Sequence, residues 1–435
     1  MVTCNNFREE TVLKSYVPED METFRQKALV WASQFEVFTW LDNNEIAYPE
    51  GGFQNLLAVG AKEVCQLRAG NTFEGLQAFH DENKDWMFGF MTYDLKNEVE
   101  ALTSENPDGV DMPMAFFYKP IYLLRFTDNM VEILKSEEGD QLINTIEQCS
   151  LPEIHHTKGV SVQQKIEREK YIETVETIRQ HIVEGDVYEM NFCMEFFAEQ
   201  IDENPLSLFL QLNKVSPMPF AAFHRLNDKY LISASPERFV RKEGTRLLSQ
   251  PIKGTIRRGQ TPEEDKQLQD QLRNDEKEIA ENMMIVDLVR NDLARSCETG
   301  SVKVPEIFGI YGFRQVHQMI STIEGQLREE VPFGKALKHL FPMGSMTGAP
   351  KVKSMELIER YEQSRRGLYS GTVGYITPEG DFDFNVIIRS MLYNASCQYL
   401  SFQIGSAITI DSVPEKEYEE CLLKAKAIRS VLGAI

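Results

Sequence analysis

The sequence lacks the features that mark secreted, membrane-spanning and metal-stapled proteins. Its seven cysteines are scattered without a CxxC pair, which argues against a disulfide framework or a structural zinc site. No apolar run approaches the length of a membrane span, and the start, "MVTCNNFREE", lacks the basic and apolar segments of a signal peptide. We therefore expect a reduced, cytoplasmic protein that does not associate with membranes.

Positive charge is also scarce. The chain has 46 Lys and Arg against 67 Asp and Glu, a net charge of −21 at pH 7. This balance argues against a nucleic-acid partner, although a cleft could still hold local cations for an anionic substrate. What is present is a chain of 435 residues, 42% of them hydrophobic, which is typical of a globular protein with a sizeable core.

A polar stretch at residues 149–162, "CSLPEIHHTKGVSV", predicts the join between two parts of the chain. We assign residues 1–150 to an N-terminal part and residues 160–435 to the main domain. Long helices are predicted around "YIETVETIRQHIV", from Thr261-Pro262 through "ENMMIVDLVRNDLARSC", and at the C-terminus, with Ser412 as the cap and Pro414 in the first turn.

Strand-like segments outnumber the helices that could cross between them. They include "YLISASPERFV", "TRLLSQ", "GTVGYI", "DFDFNVIIRSMLY" and "QYLSFQIGSAITI". The pattern favours an α+β fold with antiparallel sheets over a doubly wound parallel sheet.

Two pairs of glutamates have a spacing that places each pair on one helix face. Glu278 and Glu281 are three residues apart on one predicted helix, and Glu417 and Glu420 repeat the spacing on the last one. If the two faces converge, their oxygens would suit Mg²⁺. On spacing alone, a solvated helix face is the stronger alternative in so acidic a chain.

Three side chains stand where a reactive group could be held rigidly. Glu237 follows a proline in "SASPERF" and could keep its proton as a general acid. Lys253, on the predicted turn "QPIKGTIRRG", could lose its proton and act as a nucleophile. Arg389, in an apolar predicted strand, needs either a substrate carboxylate or a buried structural ion pair. For Glu237 and Lys253 the alternative is an ordinary exposed turn.

Three further features are ambiguous on the residues alone. The segment "GSMTGAPKVKS" is either an anion-binding helix start or a tight turn. Gly405 stands at a strand position where the backbone could approach a ligand. His317 has strand context, but a lone histidine is more often a packed bystander.

Taken together and in order, these segments are specific. "SASPERF", "PIKGT", "ENMMIVDLVRNDLARSC", "VHQMISTIEGQL", "GSMTGAPKVKSMELI", "FNVIIRS" and "DSVPEKEYEECLLKAKAI" closely resemble the chorismate-utilising enzymes. This family includes the large subunits of anthranilate and aminodeoxychorismate synthases and the isochorismate and salicylate synthases. The resemblance covers residues 163–435. It implies a composite fold of two face-packed antiparallel sheets with outer helices, to which the N-terminal part adds strands.

The resemblance also implies roles for single residues. Glu281 and Glu420 would bind Mg²⁺, with Glu278 and Glu417 touching it through water. Glu237 would be the general acid toward the 4-hydroxyl of chorismate, and His317 an active-site histidine. Substrate binding is implied for Gly254, Thr255, Tyr375, Arg389, Gly405, Ser406, Ala407 and Lys424.

Lys253 separates the activities within the family. Anthranilate, isochorismate and salicylate synthases carry Ala at this position, whereas aminodeoxychorismate synthases carry Lys. The resemblance thus implies amination of chorismate at C4 through a covalent lysine intermediate, for p-aminobenzoate and folate synthesis. Anthranilate formation is the alternative, and a catalytically inactive chorismate-binding subunit is a third possibility. For the covalent route we expect desolvation to depress the pKa of Lys253 and Glu237 to be protonated.

Two positions depart from the family pattern. Glu189 in "GDVYEMN" stands where Gln is usual, and the carboxylate-binding strand reads Gly405-Ser406-Ala407 instead of Gly-Ala-Gly. No cysteine lies in the Gly-x-Cys-x-Gly elbow of a glutaminase. The family therefore implies that ammonia comes from a separate glutamine amidotransferase subunit.

Overall fold

The computed structural model of the chain describes residues 12–65, 67, 70–139, 141–155, 157 and 159–434. The N-terminal segment on which the signal-peptide prediction rests lies outside these residues, as does His156 in the predicted join. Within the described ranges, no helix combines the length and the apolar character needed to cross a membrane.

The helices of the described residues vary from one turn to five. Their bounds are α1 (Met21–Ala32), α2 (Thr72–Glu82), α3 (Lys96–Val99), α4 (Gln141–Glu147), α5 (Arg168–Val183), α6 (Pro205–Val215), α7 (Pro262–Arg273), α8 (Glu276–Ala294), α9 (Phe333–Leu340), α10 (Lys351–Tyr361) and α11 (Pro414–Val431). Two 3₁₀ turns cover Tyr93–Leu95 and Gly344–Met346.

The strands are more numerous than the helices. They are β1 (Lys14–Tyr16), β2 (Val37–Asp42), β3 (Leu56–Cys65), β4 (Met87–Met91), β5 (Ala115–Phe126), β6 (Val131–Lys135), β7 (Gln163–Gln164), β8 (Glu189–Ala198), β9 (Phe220–Leu226), β10 (Lys229–Ser235), β11 (Arg238–Glu243), β12 (Arg246–Gln250), β13 (Ile252–Arg257), β14 (Lys303–Gly312), β15 (Val316–Gln326), β16 (Gly348–Ala349), β17 (Thr372–Ile376), β18 (Phe382–Asn385), β19 (Ser390–Asn394) and β20 (Tyr399–Ile408).

Neighbouring strands pair antiparallel throughout the described chain, which confirms the α+β prediction. One run of pairings connects β8, β20, β19, β10 and β9, and another connects β18, β11, β12, β15 and β13. The two runs belong to one hydrogen-bonded network because N-terminal strands join them, β2 through β9 and β4 through β17. The division of the chain near residues 150–160 stays a prediction.

The single long helix predicted from Thr261 onward is wrong in one respect, because the structure contains two helices there. α7 begins after Thr261, whose hydroxyl caps it, as the sequence indicates. Asp275 then starts α8 by accepting hydrogen bonds from the backbone N–H groups of Lys277 and Glu278. An aspartate cap satisfies the first amides of a helix and so allows a new one to begin. The restart places Glu278 and Glu281 in the first two turns of α8.

Three other local predictions were wrong. Lys253 lies within β13 and not on a turn. The single strand predicted around Arg389 is divided into β18 and β19, because Arg389 has a left-handed φ of 54° that cannot continue a strand. Ser412 does not cap α11, since its hydroxyl accepts the N–H of Thr409 in the preceding turn. Pro414 occupies the first turn of α11, as predicted.

A fully buried ion pair ties the strands around the candidate site. Nε and Nη2 of Arg238, on β11, each lie 2.9 Å from an oxygen of Asp383, on β18. Nη1 donates to Oε1 of Gln250 at 2.5 Å, and Nη2 also donates to the carbonyl of Gly51 at 2.8 Å. The pair thereby joins β11, β12, β18 and the N-terminal part, with Glu237 as the chain neighbour of Arg238.

We expect Asp383→Asn to lower the free energy of unfolding by about 3–5 kcal/mol, because it leaves the buried guanidinium of Arg238 without a compensating charge. The matched control is Asp270→Asn, which breaks the exposed ion pair with Lys266 and should change stability by less than about 1 kcal/mol. Urea denaturation measures both variants. Equal midpoints for the two would contradict the structural role of the buried pair.

Candidate active site

Lys253 and Glu189 form an ion pair at the centre of the candidate site. Lys253 is the second residue of β13, and Glu189 is the first residue of β8. Nζ of Lys253 lies 2.8 Å from Oε1 of Glu189, and the two side chains are only 11% and 1% exposed. The unusual glutamate in "GDVYEMN" is therefore a charge partner for the unusual lysine in "PIKGT".

The charge state of Lys253 differs from the expectation. Burial by itself would lower the pKa of Lys253, but Glu189, Glu281 and Glu237 together raise the pKa above its ordinary value. The prediction of a depressed pKa was wrong, because it considered desolvation and left out the carboxylates that the fold gathers around the amine. Lys253 is thus an ammonium at neutral pH.

Glu237 stands in the short connection between β10 and β11 and is buried. The hydroxyl of Ser345 donates to its Oε1 at 2.6 Å. Burial raises the pKa of Glu237 to about 7, while Ser345 and Lys253 oppose this shift. The direction agrees with the prediction of a carboxyl that keeps its proton. The segment "GSMTGAPKVKS" contains both a turn and a helix start, because Ser345 belongs to the 3₁₀ turn and α10 begins at Lys351. Anion binding at this helix start stays a prediction.

Lys277 connects the two acidic pairs. Its Nζ lies 3.6 Å from Oε1 of Glu281, on α8, and 3.5 Å from Oε1 of Glu417, on α11. Burial raises the pKa of Glu278, and it raises the pKa of Glu281 to about 7. The two acidic faces therefore converge around a cation of the protein itself.

The donor set fits a hard divalent cation. Oε1 of Glu281 is buried and accepts no hydrogen bond from the part of the chain that the structure describes; Nζ of Lys277, at 3.6 Å, is an ion-pair contact beyond hydrogen-bond distance. A buried carboxylate oxygen needs a partner, and Mg²⁺ takes carboxylate oxygens from one or two residues together with water or substrate. The residues of the acidic pairs could hold such an ion, and its presence stays a prediction.

Lys424 joins α11 to the predicted carboxylate-binding strand, β20. Its Nζ contacts Oε1 of Glu420 at 2.6 Å and the carbonyl of Gly405 at 3.0 Å. Lys424 is also the largest cause of the lowered pKa of Glu420. The lysine therefore keeps this glutamate ionised and beside the strand.

The departure at Gly405-Ser406-Ala407 also has a structural reason. Ser406 is buried, and its hydroxyl hydrogen-bonds to Oε2 of Glu417. Gly405 and Ala407, on either side, are partly exposed. An alanine in the middle position could not orient Glu417, so the serine connects the strand to an acidic pair.

Arg389 offers a cation without a fixed partner. Among the described residues, no hydrogen bond or ion pair engages its guanidinium, and it lies between β18 and β19. Burial lowers the pKa of Arg389, while Tyr369 and Glu420 oppose this shift. Of the two alternatives for Arg389, the described contacts favour a ligand carboxylate over a structural ion pair.

The other predicted substrate-binding residues differ in their exposure and in the groups that surround them. Gly254 has a φ of 97°, and a Cβ there would come within 3.2 Å of Oε2 of Glu278. Thr255, next in β13, is exposed. The ring of Tyr375 is buried 5.6 Å from the ring of Trp86, in the aromatic core. The substrate-binding roles of these residues stay predictions.

His317 is buried at the start of β15. Its Nε2 lies 2.9 Å from Oδ1 of Asp265, and its Nδ1 has no hydrogen-bond partner among the described residues. Asp265 also binds Arg258 at 2.8 Å. These contacts fix the ring, and the catalytic role of His317 stays a prediction.

Sequence reasoning missed residues that hold Lys253 and Glu237 in place. Asn282 donates to the carbonyl of Lys253 at 3.2 Å and accepts from the hydroxyl of Ser321 at 2.6 Å. Asn282 and Ser345 lie in segments that carry the family resemblance, but the sequence assigned them no role, because their partners are distant along the chain. The opposite charges of Glu189 and Lys253, both at unusual positions, could have suggested that pair.

The raised pKa of Glu237 predicts a pH-dependent stability. The carboxyl is neutral in the folded protein up to about pH 7 and ionises near 4.5 when unfolded. The folded state therefore binds more protons in this window, and the stability contributed by Glu237 is lost as the pH rises through about 7. Relative to Glu237→Gln, the protein should lose about 3 kcal/mol between these pH values and no more above them.

Urea denaturation across this pH range measures the difference. Glu276→Gln, at an exposed glutamate in the first turn of α8, is the control and should show no such trend. A difference between Glu237→Gln and the unmodified protein that does not vary with pH would contradict the raised pKa.

Comparison with known proteins agrees with this geometry. Residues 42–430 match the family of chorismate binding enzymes. The chain is 43% identical over 263 residues to the chloroplastic aminodeoxychorismate synthase of Arabidopsis thaliana, a match that covers 60% of this chain and 28% of that protein. It is 35% identical over 343 residues to aminodeoxychorismate synthase component 1 of Escherichia coli, covering 78% of this chain and 75% of that protein.

A solved structure shows the same fold. Anthranilate synthase component I from Streptococcus pneumoniae superposes with a TM-score of 0.77 at 27% sequence identity, covering 88% of this chain and 94% of that one. The family match spans most of the chain and includes every residue of the acidic site, from Glu189 to Lys424. The chain therefore belongs to the chorismate binding enzymes.

Proposed function

We propose that the chain aminates chorismate at C4 with ammonia, giving 4-amino-4-deoxychorismate, and that the reaction passes through a covalent bond to Lys253. The observation that carries the proposal is the position of Lys253: a buried amine in a site that also holds Glu237, a carboxyl with a pKa of about 7. A nucleophile and a proton donor in one site, close enough to interact electrostatically, are what two successive displacements require. The relatives named aminodeoxychorismate synthase support this choice.

The first displacement joins Lys253 to the substrate. Nζ, as a neutral amine, attacks C2 of chorismate, the ring double bond shifts, and the 4-hydroxyl leaves as water with the proton of Glu237. The second displacement reverses the shift, since ammonia attacks C4 and the lysine leaves C2. Glu237 then recovers its proton from the new ammonium group, so the sum is chorismate and ammonia giving product and water.

The cations at the edge of the site would bind the substrate carboxylates. The guanidinium of Arg389 has no fixed partner in the part of the chain that the structure describes, which suits a bidentate contact with a carboxylate. Gly254, Thr255 and the backbone of Gly405 to Ala407 would line the same region. Binding of this kind holds C2 within reach of Lys253.

Glu281 and Glu420 would hold Mg²⁺, with Glu278 and Glu417 beside them. When bound, the ion would supply positive charge that neutralises a substrate carboxylate. Lys277 would then move away from Glu281 and Glu417, because the divalent charge replaces its own.

Ammonia would come from a separate glutamine amidotransferase subunit, since the sequence has no glutaminase elbow. The name of the Escherichia coli relative, a component 1, supports a partner of this kind. A cytoplasmic location stays part of the proposal.

Anthranilate formation is the second candidate, because the superposed structure is an anthranilate synthase component I. That reaction places nitrogen at C2 and eliminates pyruvate, and it needs no enzyme nucleophile. Lys253, buried where the related activities have Ala, favours the first candidate.

Product analysis tests the choice. With chorismate, ammonium and Mg²⁺, we expect an aminated product that keeps its enolpyruvyl group, detected by mass. Lys253→Ala should reduce its formation by about a thousandfold or more, because the attacking group is removed. The control Lys266→Ala removes an exposed lysine of α7 and should leave the rate unchanged. Fluorescent anthranilate with pyruvate would establish the second candidate, and no turnover would favour a non-catalytic chorismate-binding subunit.

Metal binding is tested separately from activity. Isothermal titration calorimetry should show that Glu281→Gln weakens Mg²⁺ binding by about tenfold or more, since a buried carboxylate ligand is lost. Glu276→Gln, at an exposed position of the same helix, should bind Mg²⁺ as the unmodified protein does. Equal affinities for the two variants would place the metal elsewhere.

A further inference from the structure

Glu189 is held against the amine of Lys253 by its strand. Its backbone pairs with Ala349 of β16, and its carbonyl accepts the hydroxyl of Ser354 at 3.4 Å. The side chain is 1% exposed, with Oε1 at 2.8 Å from Nζ of Lys253. Oε2 is buried and accepts no hydrogen bond within the described ranges of the chain. Oε1 therefore binds the lysine, and Oε2 has no hydrogen-bond donor among the described residues.

Lys253 meets negative charge from each element that faces it. Several carboxylates interact electrostatically with its ammonium. They are Glu189 of β8, Glu237 before β11, Glu278 and Glu281 of α8, and Glu420 of α11. The nearby cations, Lys277 and Lys424, are themselves paired with the acidic helices. In such a field the amine stays protonated, and an ammonium has no electron pair with which to attack carbon.

Of these groups, Glu189 is the one placed to accept the proton. Glu237 is engaged by Ser345, and in the proposed reaction it must deliver its own proton to the leaving hydroxyl. Among the described residues, Glu189 is the carboxylate in ion-pair contact with Lys253. A proton moving along this hydrogen bond travels less than the distance between the two heavy atoms.

We propose that Glu189 takes a proton from Nζ of Lys253 when chorismate enters, holds it through the covalent intermediate, and returns it after the product forms. This inference rests on the proposed function. Substrate entry favours the transfer because it displaces water, and in a dry site a neutral acid–amine pair is preferred over two buried charges.

The protons balance through the cycle. Before attack, the ion pair becomes a neutral amine and a neutral carboxyl on Glu189. The attack makes a secondary ammonium on the substrate, and when ammonia displaces it, the lysine leaves as a neutral amine. Glu189 then returns its proton to Lys253 and restores the ion pair. No group outside the site has to accept or supply a proton.

Covalent adduct formation at Lys253 tests the role directly. The full-length protein is mixed with chorismate in the absence of ammonia, quenched with acid at successive times, and the mass of the peptide containing Lys253 is measured. In Glu189→Gln the lysine must release its proton to water. The ratio of the unmodified rate to the Glu189→Gln rate should therefore fall about tenfold per pH unit between about pH 6 and 8. The ionisation of Glu237 affects both proteins and cancels in the ratio.

Three further variants define the outcome. Glu189→Asp keeps a carboxylate, so its rate ratio should not vary with pH even if the rate is lower. Glu189→Met lacks an acceptor and should behave as Glu189→Gln does, which keeps the test available if one variant does not fold. Glu195→Gln is the matched control, because Glu195 is a buried glutamate of the same strand that binds Tyr399 and Ser401. It should form the adduct as the unmodified protein does.

The possible failures are distinct. A ratio for Glu189→Gln that is constant with pH, or a variant faster than the unmodified protein at neutral pH, would overturn the role of Glu189 and leave the covalent route intact. An unmodified protein that forms no adduct at Lys253 would overturn the covalent route, and the role of Glu189 with it.

Discussion

The buried pair of Arg238 and Asp383 is the constraint on which the site depends. A guanidinium removed from water must have all its donors satisfied, and here they bind a carboxylate, a side-chain amide and a backbone carbonyl from separate elements. Glu237 precedes Arg238 in the chain, and Gln250 lies three residues before Lys253. The register of β11, β12 and β18 shifts next to Arg238, so the pair also holds an irregular part of the strand network in place. The ion pair therefore lies beside Glu237 and Lys253 in the fold, and among the described residues it makes no hydrogen bond to either side chain.

Glu237 and Lys253 are both buried near this ion pair, but burial leaves them in different charge states. Glu237 interacts with a hydroxyl and a lysine but has no ion-pair contact among the described residues, so desolvation dominates and its carboxyl tends to stay neutral. Lys253 is equally enclosed, yet the surrounding carboxylates outweigh desolvation and keep it charged. The site thus holds a proton on both Glu237 and Lys253. Chemistry of the kind proposed must release both protons, and Glu189 gives the second one a place to go.

The acidic pairs show how far helix spacing carries a prediction. Spacing alone placed Glu278 with Glu281 and Glu417 with Glu420 on common faces, and both placements agree with the helices found. It could not show that the faces converge, because convergence depends on the cap at Asp275, which turns one predicted helix into two. It also gave no sign of Lys277 between them, since a lysine in a charged helix segment resembles any other solvated residue.

What the sequence by itself determined are the properties carried by short segments: an α+β class with antiparallel strands, the positions of the three longest helices (α5, α8 and α11), and a family resemblance that assigns expected roles to single residues. These properties follow from local hydrophobic periodicity, helix caps and the order of motifs, all of which depend on residues close together in the chain. The tertiary structure alone decided the charge of Lys253, the hydrogen bond from Ser345 to Glu237, and the position of Arg389, whose guanidinium has no fixed partner among the described residues. Each of these depends on groups tens to hundreds of residues apart, such as Glu189 and Lys253, whose interaction energy exists only once folding has brought them together and removed the water between them.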